Sequence, residues 1–472
     1  MDLSVITAEL ANLHRDESFR WERERNYLLG RAGSPPLKEG VAEELKTLAR
    51  TANKNVISLV VDSFSQNLSV ADYRSPSAEK SAPAWELWGK QRMAARQAEI
   101  HRGALTYGVS YVVVLPDDSG EIIFRPRSPR QLIAVYEDPQ IDEWPKYALE
   151  TWVENSGGKK VRRGLLLDDQ NGYPVTLGDV LVNSDAGPLT TAQIRQTGDP
   201  IRHRGDGVCP VVRYVSRRDS EGAPVGEVEP LIDLQRAINA VNLDRLIVSR
   251  WGAHPQKVIA GWAPTTAAEG LRATATDVWT FGGKDGKDVK AQAFPAANVT
   301  AYNDVLTEMQ EHVAMVAQIS PAAVTGKMVN LSAEALAAGE ANQQRKLVAM
   351  RESLGEAHRQ LLELAGQSSG KRRQPLAEVM WRDTEARSIG AVTDAVQKIV
   401  SAAKTEKILP DLLPLIPGVS TSTADRVREV LAETPQPSRN DAGQSVGPLP
   451  PEVAPDERAA EPGGFGAAAE PE

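Results

Sequence analysis

The residues closest to a known chemical motif are Val324-Thr325-Gly326-Lys327-Met328, which place a glycine and a lysine together as a phosphate-binding loop does. Such a loop also needs a glycine at the start of the motif and a serine or threonine after the lysine to hold magnesium. Pro321 and Met328 stand at those two positions. The Gly-Lys pair within residues 282–288 lacks the hydroxyl residue too. The sequence therefore argues against an ATP-driven motor.

Motifs for metal binding and for nucleophilic catalysis are also missing. The sequence contains no His-Glu-x-x-His, no histidine pair at zinc-ligand spacing and no Gly-x-Ser-x-Gly. We expect most histidines to be ordinary surface or boundary residues; they are His14, His101, His203, His254, His312 and His358. The single cysteine, Cys209, excludes an intrachain disulfide and a cysteine-rich metal site. The sequence predicts no metal and no cofactor.

Aspartates supply one catalytic alternative, a metal-dependent nuclease or other hydrolase that uses Asp168, Asp169 and Asp206. The run from Asp168 to Gly172 is more simply a turn, and no second carboxylate cluster converges on it in the sequence. A turn likewise accounts for the glycine and aspartate of His203-Arg204-Gly205-Asp206. The leading expectation is therefore a protein that is not an enzyme, with the hydrolase kept as an alternative.

The charge balance limits how the protein can treat nucleic acid. A net charge of -9 argues against tight binding, because neutralising phosphates requires clustered lysine and arginine. Two small basic clusters, Lys159–Arg163 and Lys371–Arg373, lie in polar settings where a solvated surface is favoured over a nucleic-acid contact. An acidic chain suits a conduit past which DNA slides better than it suits a clamp.

The elements that position these residues change in period along the first half of the chain. At 472 residues and 41% hydrophobic composition, the chain can form two or three domains' worth of core. Helical spacing covers about 5–30, 38–68 and 82–107. A β-rich segment is predicted over 109–215, with strands at 109–115, 121–124, 131–136, 146–153, 162–167 and 210–215.

Helical spacing returns in the second half. Stripes at Leu231–Val248 and Tyr302–Val316 predict two helices that bracket a turn-rich segment, 252–296. An irregular stretch from Pro321 to Leu331 leads into a long helix with a stripe at Leu347–Leu364. These stripes need apolar partners, which neighbouring subunits of a ring or helices of the same chain could supply. Further elements are predicted at 377–381 (strand), 388–404 (helix) and 422–433 (a weaker helix).

The ends of the chain carry no targeting or membrane signal. Residues 435–472 hold eight prolines, five glycines and seven acidic against two basic side chains, which predicts disorder. No stretch approaches the ~18 consecutive apolar residues of a membrane-spanning helix. The N-terminus lacks the basic and apolar regions of a secretion signal. We expect a soluble protein without a membrane partner.

The order and spacing of these elements resemble the portal proteins of tailed bacteriophages, in the family typified by the portal of phage SPP1. Four stretches carry the likeness: residues 53–62, 103–112, 229–235 and 319–336. The likeness spans roughly residues 5–430, and its weight comes from the order of the stretches rather than from any one of them. It implies an α+β fold, mainly helical, with a β-rich wing segment, two stem helices, a small α/β clip, a long wing helix and a helical crown.

The resemblance also implies where these parts lie. The implied divisions are a wing at 1–225, stem helix 1 at 226–251, a clip at 252–296, stem helix 2 at 297–319, a tunnel loop at 320–332, a kinked long wing helix with its following strand at 333–387, and a crown at 388–434. The tail from 435 corresponds to no part of the family. In this arrangement the residues that face DNA in the tunnel are Thr325, Gly326, Lys327, Met328 and Asn330.

The function implied by the resemblance is a channel at one capsid vertex of a virion, assembled in the host cytoplasm, through which DNA is packaged and ejected. The implied assembly is a homo-oligomeric ring, a dodecamer in most of the family. The implied partners are double-stranded DNA bound without sequence specificity, terminase, the major capsid protein or scaffold, and the head-tail connector or adaptor protein. A second alternative beside the hydrolase is a non-portal minor capsid or scaffold protein.

Overall fold

The structure is a computed structural model. It describes residues 3–40, 43–75, 81–117, 119–179, 194–205, 207–252, 257–260, 290–293, 298–326, 333–371, 377–382, 389–403, 408–413, 416, 419 and 421–433. The helices are α1 (Leu3–Leu28), α2 (Glu43–Thr51), α3 (Ile57–Ser65), α4 (Trp85–Lys90), α5 (Met93–Tyr107), α6 (Ile232–Gly252), α7 (Thr300–Ala317), α8 (Pro321–Thr325), α9 (Ala333–Ser368), α10 (Ile389–Ala403), α11 (Leu409–Leu412) and α12 (Thr421–Glu433).

The strands confirm a mixed α+β fold. They are β1 (Val70–Arg74), β2 (Val109–Pro116), β3 (Ile122–Arg127), β4 (Leu132–Val135), β5 (Tyr147–Ser156), β6 (Lys159–Leu167), β7 (Asn171–Asp179), β8 (Arg195–Gln196), β9 (Ile201–Arg202), β10 (Val211–Val215), β11 (Lys257–Ala260), β12 (Lys290–Ala293) and β13 (Glu378–Trp381). Strands β10, β2 and β3 form one antiparallel sheet, and β4 to β7 form a second sheet that β8 and β9 extend.

Two of the predicted N-terminal helices are each divided in two. The prediction of one helix over 38–68 was wrong, because residues 52–56 separate α2 from α3 and the Asn55 side chain accepts a hydrogen bond from the Ser58 amide. The predicted helix over 82–107 divides at Arg92, whose φ of 53° is left-handed. Beside this break the Gln91 side chain bonds the backbone of Ile122 and Phe124 on β3, which fixes the division in place.

The β-rich segment is a pair of packed sheets. Alternate residues of β2, including Val109, Tyr111 and Val113, face the β4–β6 sheet, whereas Val112 and Val114 face the main core. Helix α1 covers the other side of the β4–β7 sheet through Ile6 and Leu10. The predicted strands are confirmed within this segment. The sequence missed β7, because Gly172, Pro174 and Gly178 interrupt its apolar pattern.

The main core is built around the long helix α9. Its stripe is buried within the same chain, with every member at most 4% exposed: Leu347, Met350, Leu354, Ala357, Leu361 and Leu364. Of the two alternatives that the sequence left open, packing within the chain supplies the partners of this stripe. The elements packed against α9 include β10, β13, α4 and β2. Full burial of such side chains contributes about 1.5–3 kcal/mol each.

The C-terminal elements return to the N-terminal half. The predicted strand at 377–381 is confirmed as β13, which pairs antiparallel with β1. Gly355 of α9 lies against it, since a Cβ there would be 3.3 Å from Nε1 of Trp381. Helices α10 and α12 lie close to the predicted positions. The tail 435–472 lies outside the described residues.

Candidate functional site

The paired helices α6 and α7 lead out of and back into the main body. At their far end, β11 and β12 pair antiparallel within the segment that the sequence showed as turn-rich. The remainder of 252–296 lies outside the described residues. Arg245 of α6 contacts both helices, because its Nε donates to Asn242 Oδ1 (3.1 Å) and its Nη1 to Asn303 Oδ1 of α7 (3.4 Å).

A row of buried amides holds α6 to the extended segment 52–56. Gln235 Oε1 accepts from the Val56 amide (2.8 Å) and its Nε2 donates to the Lys54 carbonyl (2.7 Å). One turn further, Asn239 Oδ1 accepts from the Lys54 amide (3.1 Å). Asn242 Nδ2 then donates to the Ala52 carbonyl (2.7 Å). These side chains satisfy backbone groups that the break between α2 and α3 leaves open, so α6 is fixed by directional bonds.

Helix α7 ends in a left-handed turn. Gln318 has φ 60°, and the Ile319 amide donates to the Ala314 carbonyl at 3.0 Å. Ile319 is buried, which anchors the chain as it leaves the helix. On the opposite side of α7, Val305, Met315 and Val316 are exposed, with Met315 at 67%.

The segment predicted to be an irregular loop begins as a helical turn. Pro321 opens α8, Thr325 Oγ1 donates to the Pro321 carbonyl (3.0 Å), and Gly326 ends the turn at φ 68°. Val324 is buried against the main core, so the start of this stretch is anchored rather than loose. Of the predicted DNA-facing residues, Thr325 and Gly326 lie at the end of α8. Lys327, Met328 and Asn330 lie outside the described residues.

A buried lysine lies where the paired helices meet the body. Lys346 of α9 donates to Glu227 Oε2 (2.5 Å) and to the Ala317 carbonyl at the end of α7 (3.1 Å). Its Nζ is also 4.8 Å from the centroid of the Phe64 ring. The two charged side chains are only 8% and 4% exposed. Neither residue stands out in the sequence, where the only signal is a lysine beside Leu347 of the apolar stripe.

The histidines are more buried than the sequence indicated. His14, His101, His203 and His358 are at most 8% exposed, so the expectation of surface or boundary positions was wrong for them. His101 and His358 lie 2.8 Å apart through their Nε2 atoms. Because the Leu68 carbonyl can only accept, Nδ1 of His101 donates to it and Nε2 of His101 accepts from His358. The Tyr214 hydroxyl then donates to Nδ1 of His358 (3.0 Å).

Burial keeps both rings of this pair neutral. It lowers the pKa of His101 to about 4, and the bond to the Leu68 carbonyl opposes that shift. Burial, followed by the neighbouring His101, lowers the pKa of His358 well below its ordinary value. The pair joins α5, β10 and α9 through defined hydrogen bonds inside the core. It has the geometry of a structural connection rather than of a metal site.

Of the candidate catalytic aspartates, Asp168 is bonded within a turn and Asp169 is exposed beside it. Asp168 Oδ1 accepts from the Gln170 and Asn171 amides (2.8 and 2.6 Å), and Oδ2 accepts from the Tyr173 hydroxyl (3.0 Å). This confirms the predicted turn between β6 and β7. Asp206 lies outside the described residues. Within the described part of the chain, no group of three or more His, Cys, Asp and Glu side chains could hold a metal ion.

The two basic clusters are only partly solvated. Arg162 of the first is buried on β6, and Arg163 donates to Glu154 (3.1 Å) and Thr176 (2.6 Å). Lys371 of the second forms an ion pair with Glu86. Arg372 and Arg373 lie outside the described residues.

None of the helices that the structure describes is long and apolar enough to cross a membrane.

Comparison with known proteins identifies the class. Residues 14–434 match the sequence model of the family described as "Phage portal protein, SPP1 Gp6-like", so the chain belongs to this family of phage portal proteins. A solved structure described as "Neck of native GTA particle computed with C12 symmetry" is similar at a TM-score of 0.43 and 13% identity, covering 79% of this chain and 91% of that chain. No curated protein matches the chain.

Proposed function

We propose that this portal-family chain is one subunit of a ring, a dodecamer in most of the family, whose central channel carries double-stranded DNA into and out of a phage head. The observation that carries the proposal is the order of α6, the β11–β12 pair, α7, α8 and the 36-residue helix α9. In that order α6 and α7 correspond to the stem helices, residues 252–296 to the clip and α9 to the long wing helix. Residues 1–225 then form the wing and 388–434 the crown.

The segment that follows α8 is our candidate for the contact with DNA. Between Ser320 and Ser332 the only formal charge is Lys327. One lysine per subunit, repeated around a ring, spreads attraction evenly around the duplex, and each contact is screened by salt and independent of sequence. Such a ring permits sliding, whereas a dense basic patch holds DNA in place. Thr325, Gly326, Met328 and Asn330 complete this lining.

Substitution of Lys327 tests the channel assignment. We expect Lys327→Ala and Lys327→Glu to form rings as the wild type does and to change the amount of DNA retained per particle, with the larger effect for the glutamate, which repels phosphate. DNA per purified particle is measured, and rings are counted by negative-stain microscopy. Lys398→Ala removes a lysine that is 75% exposed on α10 and serves as the matched control. Equal DNA content in all four proteins would remove Lys327 from the channel.

The partners follow from the same assignment. In a virion the ring occupies one vertex of the capsid, where it contacts the major capsid protein or scaffold. The end of the ring formed by the clip receives terminase during packaging and the head-tail connector protein afterwards. A minor capsid or scaffold role without a channel predicts particles that lack a central hole in negative-stain images. A hydrolase role predicts magnesium-dependent cleavage of DNA by the purified protein.

A further inference from the structure

Lys346 binds, through its ammonium group, the residues on either side of the segment formed by α6, residues 252–296 and α7. Glu227 lies two residues before the 3-10 turn Glu229–Leu231 that opens into α6, and Ala317 is the last residue of α7. Both are bound by the same ammonium group, at 2.5 and 3.1 Å. The lysine itself belongs to α9, the helix that resumes after the segment at Lys327. The residue before α6, the end of α7 and helix α9 are therefore joined at the Lys346 side chain.

A buried ion pair of this kind is weak evidence for stability. It does fix the relative positions of the groups that it joins. Removing a lysine and a carboxylate from water costs several kcal/mol per ion, and apolar residues of similar size are often as stable in such a place. Glu227 Oε1 is buried, and it has no hydrogen-bond partner among the described residues. The carboxylate is therefore held by Lys346. The Ala317 carbonyl lies at the negative end of α7, where a cation satisfies an acceptor that the helix leaves open.

One side of this contact is fixed by close backbone packing. The Glu227 amide donates to the Leu105 carbonyl at 2.7 Å. Gly226 lies so near α5 that a Cβ would be 2.4 Å from the Thr106 carbonyl oxygen. At Gly108, which has φ 81°, a Cβ would be 2.8 Å from the carbonyl carbon of Pro224. Since only glycine fits these positions, residues 224–227 are clamped against the end of α5.

The lysine side of the contact is fixed as well. Leu347 and Met350, on the following turn of α9, are at most 2% exposed in the main core. Gln343 Nε2, one turn earlier, donates to Ser63 Oγ of α3 (2.8 Å). With Glu227 and α9 both held by the body, the end of α7 is the element that the ammonium group positions.

We propose that Lys346 is a positioning residue that fixes the end of α7, and through Gln318 and α8 the start of the segment at Lys327, to the body of the subunit. Its importance for DNA rests on the proposed function, whereas its effect on the end of α7 does not. Without the ammonium group, the Ala317 carbonyl loses its bond to α9, and only the burial of Ala317, Ile319 and Val324 in the main core still holds the turn and α8. The turn and α8 then open more often while the rest of the core stays closed.

Hydrogen exchange measures this opening directly. We expect Lys346→Met, which keeps the apolar stem, to raise exchange about tenfold or more at the amides of Ile319, Ala323 and Gly326, which are bonded within this turn and α8. Amides of β5 and β6 report on the body, and their exchange should stay unchanged. Arg345→Met is the matched control, because it removes a charge from the adjacent, exposed position of α9.

Two further variants keep the test decisive if Lys346→Met does not fold. Glu227→Gln preserves the shape of the carboxylate and should raise exchange at the same amides by a smaller factor. Lys346→Arg retains a donor cation and should restore protection toward the wild type. Unchanged exchange at Ile319 and Gly326 in a folded Lys346→Met or Glu227→Gln protein would overturn the proposal. DNA retained per particle is recorded separately, because its failure to change counts against the channel assignment of the segment and not against the positioning of α7.

Discussion

At the scale of single residues, the buried polar contacts join positions that lie far apart in the sequence. Lys346 and Glu227 are separated by 119 residues, and His101 and His358 by 257. A lysine or a histidine within an apolar pattern gives no sign of its partner, so sequence reasoning could not place these pairs. The Asp168 turn was predictable because its backbone partners are two and three residues away. Contacts of short sequence separation were thus predicted, and those made by tertiary packing were not.

The buried histidine pair makes stability depend on pH. The pKa of His101 is lower in the folded state than in the unfolded state, so the unfolded chain binds more protons between these two values. The stabilisation by the neutral pair is therefore complete above about pH 6.5 and is lost as the pH falls toward about 4. We expect His358→Gln to be less stable than the wild type near neutral pH, since it loses packing with Trp88 and Tyr214. It should also lose less stability on acidification. Each unit of pKa shift removed corresponds to about 1.4 kcal/mol.

Thermal midpoints of the two proteins across this pH range provide the measurement. Burial lowers the pKa of His14 to about 4 and raises that of Glu24 to about 7, which give opposing dependences. Both groups are present in wild type and variant, so their effects cancel in the difference. Parallel pH profiles for the two proteins would show that the pair contributes nothing to acid sensitivity.

At the scale of elements, periodicity located most helices and strands but not the breaks within them. The apolar pattern continues through 52–56, where the Asn53 and Asn55 side chains bond the carbonyls of Gly30 and Leu28 instead of permitting a helix. Propensity favours neither result strongly, and tertiary hydrogen bonds decide. The same reasoning applies to α8, which is too short to show a period. Strand β7 was missed for the opposite reason, since its neighbours in the sheet override its glycines and proline.

Residues 252–296 provide the element-scale test of the clip assignment. Lys257 of β11 is the Cα partner of Ala293 of β12, so the two ends of the segment are close and a short glycine-serine linker can replace 255–295. We expect the deleted protein to remain soluble and folded, because the contacts of α6 with 52–56 and with α7 within the subunit are kept. Binding of terminase should fall below detection in a pull-down. A glycine-serine insertion at Gly157–Gly158, where a Cβ would meet nothing within 4 Å, is the control and should leave binding unchanged.

At the scale of the whole molecule, the order of elements was the most informative property of the sequence. Each stretch was too degenerate to identify a family alone, yet the resemblance that rested on their order named the family whose sequence model residues 14–434 match. The partner of an apolar stripe was less predictable. A stripe such as Leu347–Leu364 has the same period whether it packs within the chain or against a neighbour, and only the fold shows that it is internal.

The family match ends at residue 434, and the last described helix, α12, ends at Glu433. Beyond it, eight prolines and a seven-to-two excess of acidic side chains leave little apolar area to bury. Truncation after Thr434 should therefore leave ring formation unchanged and shift the thermal midpoint by no more than about 1–2 °C, since stability follows buried apolar area. A truncation after Ser420, which also removes α12 and the ion pairs of Arg428 with Asp411 and Asp425, should lower the midpoint measurably and is the positive control. Loss of rings on removal of the tail alone would show that residues 435–472 are part of the assembly.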